Sequence, residues 1–161
     1  MTGAGRLGLA VVAAALVAAC GGGDGAGSRQ DEVAERGAEV MPFDLDATTH
    51  RFEPTDGGLV QVVVADDPGD ARQVRLVRGH LGDEAERFRQ GDYGDPAVIH
   101  GHDMPGLAEL EAGAAAITVE LADVDAGARL TFTSDDPTLV DALHRWGEAQ
   151  LMDHGTDAGR P

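Results

Sequence analysis

Two stretches of this chain follow one order of elements: strand, turn, strand, the tripeptide Asp-Asp-Pro, helix. In the first, Thr48–Phe52 and Leu59–Ala65 (LVQVVVA) are strand-like runs separated by Pro54-Thr55-Asp56-Gly57-Gly58, a hairpin signal. Val60, Val62 and Val64 alternate and share one face of the second strand. Asp67-Pro68 then offers an N-cap followed by proline at the first helical position. From there to about Arg89, Val74, Val77, Leu81, Ala85 and Phe88 form one helical stripe. In the second stretch Ile117, Val119 and Leu121 alternate, Asp123–Gly127 turns the chain, and Leu130 and Phe132 continue. Asp136-Pro137 caps a helix with the stripe Leu139, Leu143 and Trp146. Two ββα units of this kind predict an α+β two-layer sandwich: a four-stranded, mainly antiparallel sheet with two helices on one face. Between the units, residues 91–113 read as a loop with a short helix.

The segment before this domain is different. Residues 1–19 carry Arg6 and then the apolar run Leu7–Ala19, too short for a membrane span of about 18–20 residues. The run ends Val17-Ala18-Ala19-Cys20-Gly21, the pattern of a bacterial lipoprotein lipobox. This predicts a signal peptide over 1–19, acylation of Cys20, and a protein held at the cell envelope on its extracytoplasmic side. Cys20 is the chain's single cysteine, so no disulfide, thiolate metal site or cysteine nucleophile remains. Residues 20–39 are Gly-rich and then charged, and read as a flexible lipid-anchored tether. The folded domain is expected over 40–155, with a disordered tail over 156–161.

Net charge excludes several partner classes. The chain carries −17, and all 29 carboxylates follow residue 19. A surface this acidic argues against nucleic acid, whose phosphates require Lys/Arg clusters. There is no lysine, which removes Schiff-base chemistry and a P-loop. Ser28 and Ser134 are the only serines, and neither lies in a G-x-S-x-G turn.

Six histidines remain as the chemistry-bearing residues. His100-x-His102-x-Met104 precedes Pro105, which biases Met104 towards extended backbone. Alternate residues then project to one side, giving two imidazoles and a thioether, donors suited to copper and less well to zinc. His50 shares strand parity with Phe52 and points towards the helices as a satisfied core histidine. His80 sits at the border of the first helical stripe. His144 lies beside Val140 and Leu151, away from the Leu139 stripe, where the 91–113 loop would bring it towards His100. His154 follows in Asp153-His154-Gly155, where a helix C-terminus favours positive charge.

Met41-Pro42-Phe43-Asp44-Leu45, Thr49-His50-x-Phe52, His80-Leu81, Ile99-His100-Gly101, Met104-Pro105-Gly106-Leu107, Ala142-Leu143-His144-x-Trp146 and Asp153-His154-Gly155 occur in one chain. Together they resemble a family of small exported bacterial proteins without an established activity, often labelled aspartate carbamoyltransferase. The likeness runs from Val40 to Gly155. It implies an aromatic residue where Gly147 stands. It adds weight to His50, His80, His100, His144 and His154, and leaves His102 outside the motifs. The label itself conflicts with the residues. True aspartate transcarbamoylases are similar to one another in a Ser-Thr-Arg-Thr phosphate loop, a His-Pro-x-Gln segment and an active-site lysine, none of which is present.

The residues therefore favour a lipid-anchored extracytoplasmic domain, not an enzyme, that binds copper, zinc or another small ligand. The candidate ligands are His100, Met104, His144, His80 and His50, with less weight on His102 and His154. The expected partners are the membrane, through the anchor, and a metal ion; no protein partner is legible. The alternative is an envelope interaction or structural module that binds no metal. A transferase comes third.

Overall fold

The computed structural model describes residues 24–154 and 158–159. The expected signal peptide over 1–19 and the expected acylation site Cys20 lie outside the described residues. Five helices and an antiparallel sheet follow in order: α1 (Asp24–Val40), β1 (Thr48–Thr55), β2 (Gly58–Ala65), α2 (Ala71–Arg89), α3 (Gly94–His100), α4 (Leu107–Gly113), β3 (Thr118–Val124), β4 (Gly127–Thr133) and α5 (Pro137–His154). The sheet order is β3-β4-β2-β1, all antiparallel, and a two-residue β5 (Ala158–Gly159) lies parallel to β1 at its outer edge. This is the α+β sandwich with duplicated ββα units. Of the tail expected to be disordered, Ala158–Gly159 instead pairs with His50–Arg51; the other residues of 156–161 lie outside the described set.

The two units interlock at their centre. β2 of the first pairs with β4 of the second, from Gly58↔Thr133 to Val64↔Gly127. α2 packs over β3 and β4, and α5 packs over β1 and β2, so each helix covers chiefly the other unit's hairpin. The stripe residues Val77, Leu81, Ala85 and Phe88 meet Val119, Leu130 and Phe132 in one core, and Leu139, Leu143 and Trp146 meet Phe52 and Leu59. The opposite face of the sheet is uncovered, as an antiparallel sheet permits. Val60, Val62 and Val64 stand half-buried on that open face, and the helix side of β2 is Leu59, Gln61 and Val63.

Local chemistry places the boundaries. Asp136 caps α5 as expected, accepting from Thr138 N at 2.8 Å. Asp67 does not cap α2. Its Oδ1 accepts from Gly69 N in a tight turn at 2.8 Å, and Asp70 caps the helix by accepting from the amides of Arg72 and Gln73. Three glycines with positive φ, Gly91, Gly101 and Gly106, shape the segment between the units. Gly101 (φ 96°) ends α3 and Gly106 (φ 85°) opens α4.

The expected tether is the main correction. Asp24–Val40 is helix α1, packed against α3 and α5. Its composition is poor for an isolated helix, so tertiary contacts supply the order. Val33 is fully buried, and Arg29 and Arg36 donate to the carbonyls of His100 and Ile99, the otherwise unpaired C-terminal end of α3. Residues 24–40 therefore belong to the folded unit, which was expected to begin at 40.

Gly106 lies against α5, where an added Cβ would stand 2.3 Å from the Ala142 carbonyl oxygen. Gly106→Ala combines that clash with positive-φ strain and is expected to cost at least about 2 kcal/mol in urea unfolding. Gly79→Ala, in open space on α2, is expected to stabilise by about 0.5–1 kcal/mol.

Candidate functional site

Four of the six histidines converge where β1, α2, α3 and α5 meet. His50, on β1, points between the layers and is 3% exposed. His154, in the last turn of α5, has its ring centroid 5.2 Å from that of His50 and 5.0 Å from that of His100. His100, the last residue of α3, is 2% exposed. His80, half-buried on α2, stands edge-on to Phe43 at 5.6 Å, and Phe43 in turn lies 5.9 Å from His50. These imidazoles line a small cavity of about 40 Å³. A single water needs roughly 10–15 Å³ on this measure, so the space admits an ion or a few water-sized groups.

The cavity is polar beyond its histidines. His50 Nε2, Gln61 Oε1 and Trp146 Nε1 belong to residues on its wall, are buried, and have no hydrogen-bond partner among the described residues. A buried polar group without a partner costs about 1–3 kcal/mol, so three of them on one small cavity point to an occupant that hydrogen-bonds or coordinates. Glu84 also lines the wall, on the apolar stripe of α2 between Leu81 and Phe88. Arg87 reaches Asp95 at 2.6 Å and Glu84 at 3.4 Å.

Burial determines the protonation of this set. It pushes His50 down to about 4, assisted by the positive potential of His80 and His100. His154 falls to about 3, through burial and its neighbours His50 and His100. His80 is lowered by burial against the opposing field of Asp95 and Asp83. His100 is lowered by burial against its hydrogen bond to Asp153. Glu84 is pushed up to about 8 by burial and by Asp95. At neutral pH the cavity thus presents neutral imidazoles, the form in which nitrogen lone pairs are available.

The metal set expected from sequence is assembled only in part: His50, His80 and His100 line the cavity, and Met104 and His144 stand apart. Met104 is 6% exposed and packs in the hydrophobic core, so its thioether is a core plug. His144 does not approach His100: its Nε2 donates to the Thr55 and Gly58 carbonyls at 2.9 and 3.0 Å and clasps the β1–β2 hairpin. His102 is exposed in the turn after α3. His50 is buried as expected, but its Nε2 is unsatisfied. His154, expected as a C-terminal charge, is a half-buried neutral member of the cluster. Among the described residues no three His, Cys, Asp or Glu side chains stand as a ready metal cage.

Gln61, Glu84, Asp153 and Trp146 were not singled out as site residues. Glu84 was legible as a carboxylate at a stripe position, and Gln61 as the polar residue alternating with Leu59 and Val63. Elsewhere, Gly147 opens a groove of about 490 Å³ between β1 and α5, beside Pro54 and Leu151. An added Cβ there would stand 2.7 Å from Leu59 Cδ1, so an aromatic at this position requires Leu59 to turn away.

No family model matches the chain, and no curated protein or solved structure matches it. The cavity's own groups give a pH dependence of stability. Below pH 6.5 the unfolded chain takes up protons that buried His50 and His154 refuse, so their contribution is full above 6.5 and is lost as pH falls through 4 to 3. Glu84 acts oppositely: the unfolded carboxyl ionises above 4.5, so stability falls as pH rises from there to 8. Each group contributes at most about 1.4 kcal/mol per pH unit, so two histidines outweigh one carboxyl until 6.5. Urea unfolding is expected to show maximal stability near pH 6.5. Glu84→Gln should flatten the alkaline decline, and His50→Gln should reduce the acid slope.

Proposed function

We propose that this chain is a lipid-anchored extracytoplasmic domain of the cell envelope that binds a transition-metal ion through His50, His100 and His154. The observation that carries the reading is the small cavity on which these neutral imidazoles meet, one with an unsatisfied Nε2. Metal–imidazole bonds of about 2.0–2.1 Å place the centroids of two rings on one ion roughly 5 Å apart, close to the spacings of these rings. Neutral imidazole is the ligating form, so no proton has to be displaced. His100 also has a carboxylate at its other nitrogen, an arrangement common around metal-bound histidines.

Access and charge favour a cation. His50 and His154 also line a groove under α1 whose other residues include Asp31, Asp46 and Asp153. Carboxylates at such a mouth raise the local cation concentration. With Met104 held in the core, the set is all-nitrogen, which suits copper(II) or zinc better than the softer copper(I). Binding requires the rings to turn within the cavity until three nitrogens face one point. For the anchor, the lipobox at Cys20 is the supporting feature. No helix among the described residues is long and apolar enough to cross a membrane.

A second reading, an envelope interaction module with structural histidines, draws on His144, which is spent on two hairpin carbonyls. Titration of the purified chain with copper(II) and zinc separates the two. One ion per chain at micromolar concentration is expected, with His50→Ala and His100→Ala each weakening binding at least about tenfold and His102→Ala leaving it unchanged. No stoichiometric binding, or binding indifferent to both cavity substitutions, overturns the metal reading. For the anchor, a labelled fatty acid is expected to incorporate into the wild-type chain in a bacterial host, and Cys20→Ala to abolish the label and release the protein from membranes.

A further inference from the structure

We infer that Asp153 and Arg29 are positioning residues for His100: they fix its proton on Nδ1 and leave Nε2 as the donor atom of the cavity. The inference rests on the ligand-binding reading of that cavity and assigns two residues to it that lie outside the histidine set. Its basis is a chain of contacts from surface to interior. Arg29 on α1 approaches Asp153 in a fork, Nε to Oδ1 at 3.1 Å and Nη2 to Oδ2 at 2.7 Å. Asp153 Oδ2 lies 2.9 Å from His100 Nδ1. Arg29 Nη2 also donates to the His100 carbonyl at 2.5 Å. One guanidinium thus holds both the backbone of His100 and the carboxylate that holds its ring.

The chemistry of these groups leaves one proton arrangement. An ionised carboxylate only accepts, so the hydrogen of this contact belongs to Nδ1. A neutral imidazole protonated there carries its lone pair on Nε2, the atom opposite. The fork is bidentate and charge-assisted, which gives it directional rigidity. Side-chain exposure declines from 40% at Arg29 through 15% at Asp153 to 2% at His100. The outer member can therefore be changed without opening the core. Because the three residues come from α1, α3 and α5, the first helix after the anchor becomes part of the site.

A plain staple holding α1 to the domain would make the same bonds, so the test reads the proton itself. In the full chain labelled with nitrogen-15, long-range nitrogen–proton spectra report the tautomer of each histidine. His100 is expected to be protonated on Nδ1 in the wild type. In Asp153→Leu no acceptor remains beside Nδ1, so the Nε2-protonated tautomer gains population. Copper(II) or zinc affinity should then fall about 10–100-fold although every imidazole is retained. Arg29→Gln, a surface change that keeps the fold if Asp153→Leu does not, leaves the carboxylate without its anchor and should give a mixture of tautomers and a smaller loss of affinity. His100 found protonated on Nε2 in the wild type, or a tautomer unmoved by both substitutions, overturns the inference. A wild-type chain with the Nδ1 proton that binds neither metal supports the positioning role and overturns the metal reading alone.

Discussion

The antiparallel pairing of β2 with β4 is the contact on which the rest of the molecule depends. Each ββα unit has a hairpin whose inner face is apolar and a helix whose stripe needs cover, and a lone hairpin is marginal in water. Pairing the two inner strands makes one twisted sheet wide enough for two helices. It also sends α2 over β3 and β4 and α5 over β1 and β2. Neither unit buries its own stripe, so neither is expected to be stable without the other. The asymmetric additions then attach to this frame: α1, α3 and α4 pack around α5, and β5 extends the edge at β1.

The site follows from an imperfection in that packing. Around Trp146 the core is aromatic and closed, with Phe52, Phe88, Tyr93 and Phe132 at 5.6 to 6.3 Å. On the side towards β1 and α3 the wall becomes polar and leaves a cavity. A buried carboxyl held neutral and several polar atoms without a partner among the described residues weaken the fold there. Apolar side chains of similar size would pack such a space more stably. A small domain that retains this arrangement has a cost for an occupant to offset, and coordination of an ion offsets it directly.

The sandwich was legible because its signals are local and periodic. Alternation in Ile117, Val119 and Leu121 and the stripe from Val74 to Phe88 need only near neighbours to be read, and Asp136 caps its helix through a contact two residues away. Residues whose role depends on distant partners were not legible. Val33 and Arg29 turn a Gly-rich segment into α1 only because the end of α3 offers carbonyls and a pocket. Met104 and His144 had the right chemistry and the wrong neighbours, one enclosed by the core and the other clasping a hairpin. In β2 the three valines share one face, and alternation alone does not say whether that face is inner or outer. The sheet placed it outside, and Gln61 turned inward with Leu59 and Val63.

By itself, the order of residues determined the two ββα units and the strongly acidic character of the chain, and it singled out histidine as the candidate chemistry-bearing type. Those properties are set by composition and by spacings of a few residues. Only the tertiary structure decided which histidines meet: His50, His100 and His154 are separated by 50 or more positions and come from a strand and the ends of two helices. It also decided which of them are neutral and that Arg29 and Asp153 stand behind His100. Protonation depends on desolvation and orientation on partners, and both exist only once distant segments have packed together.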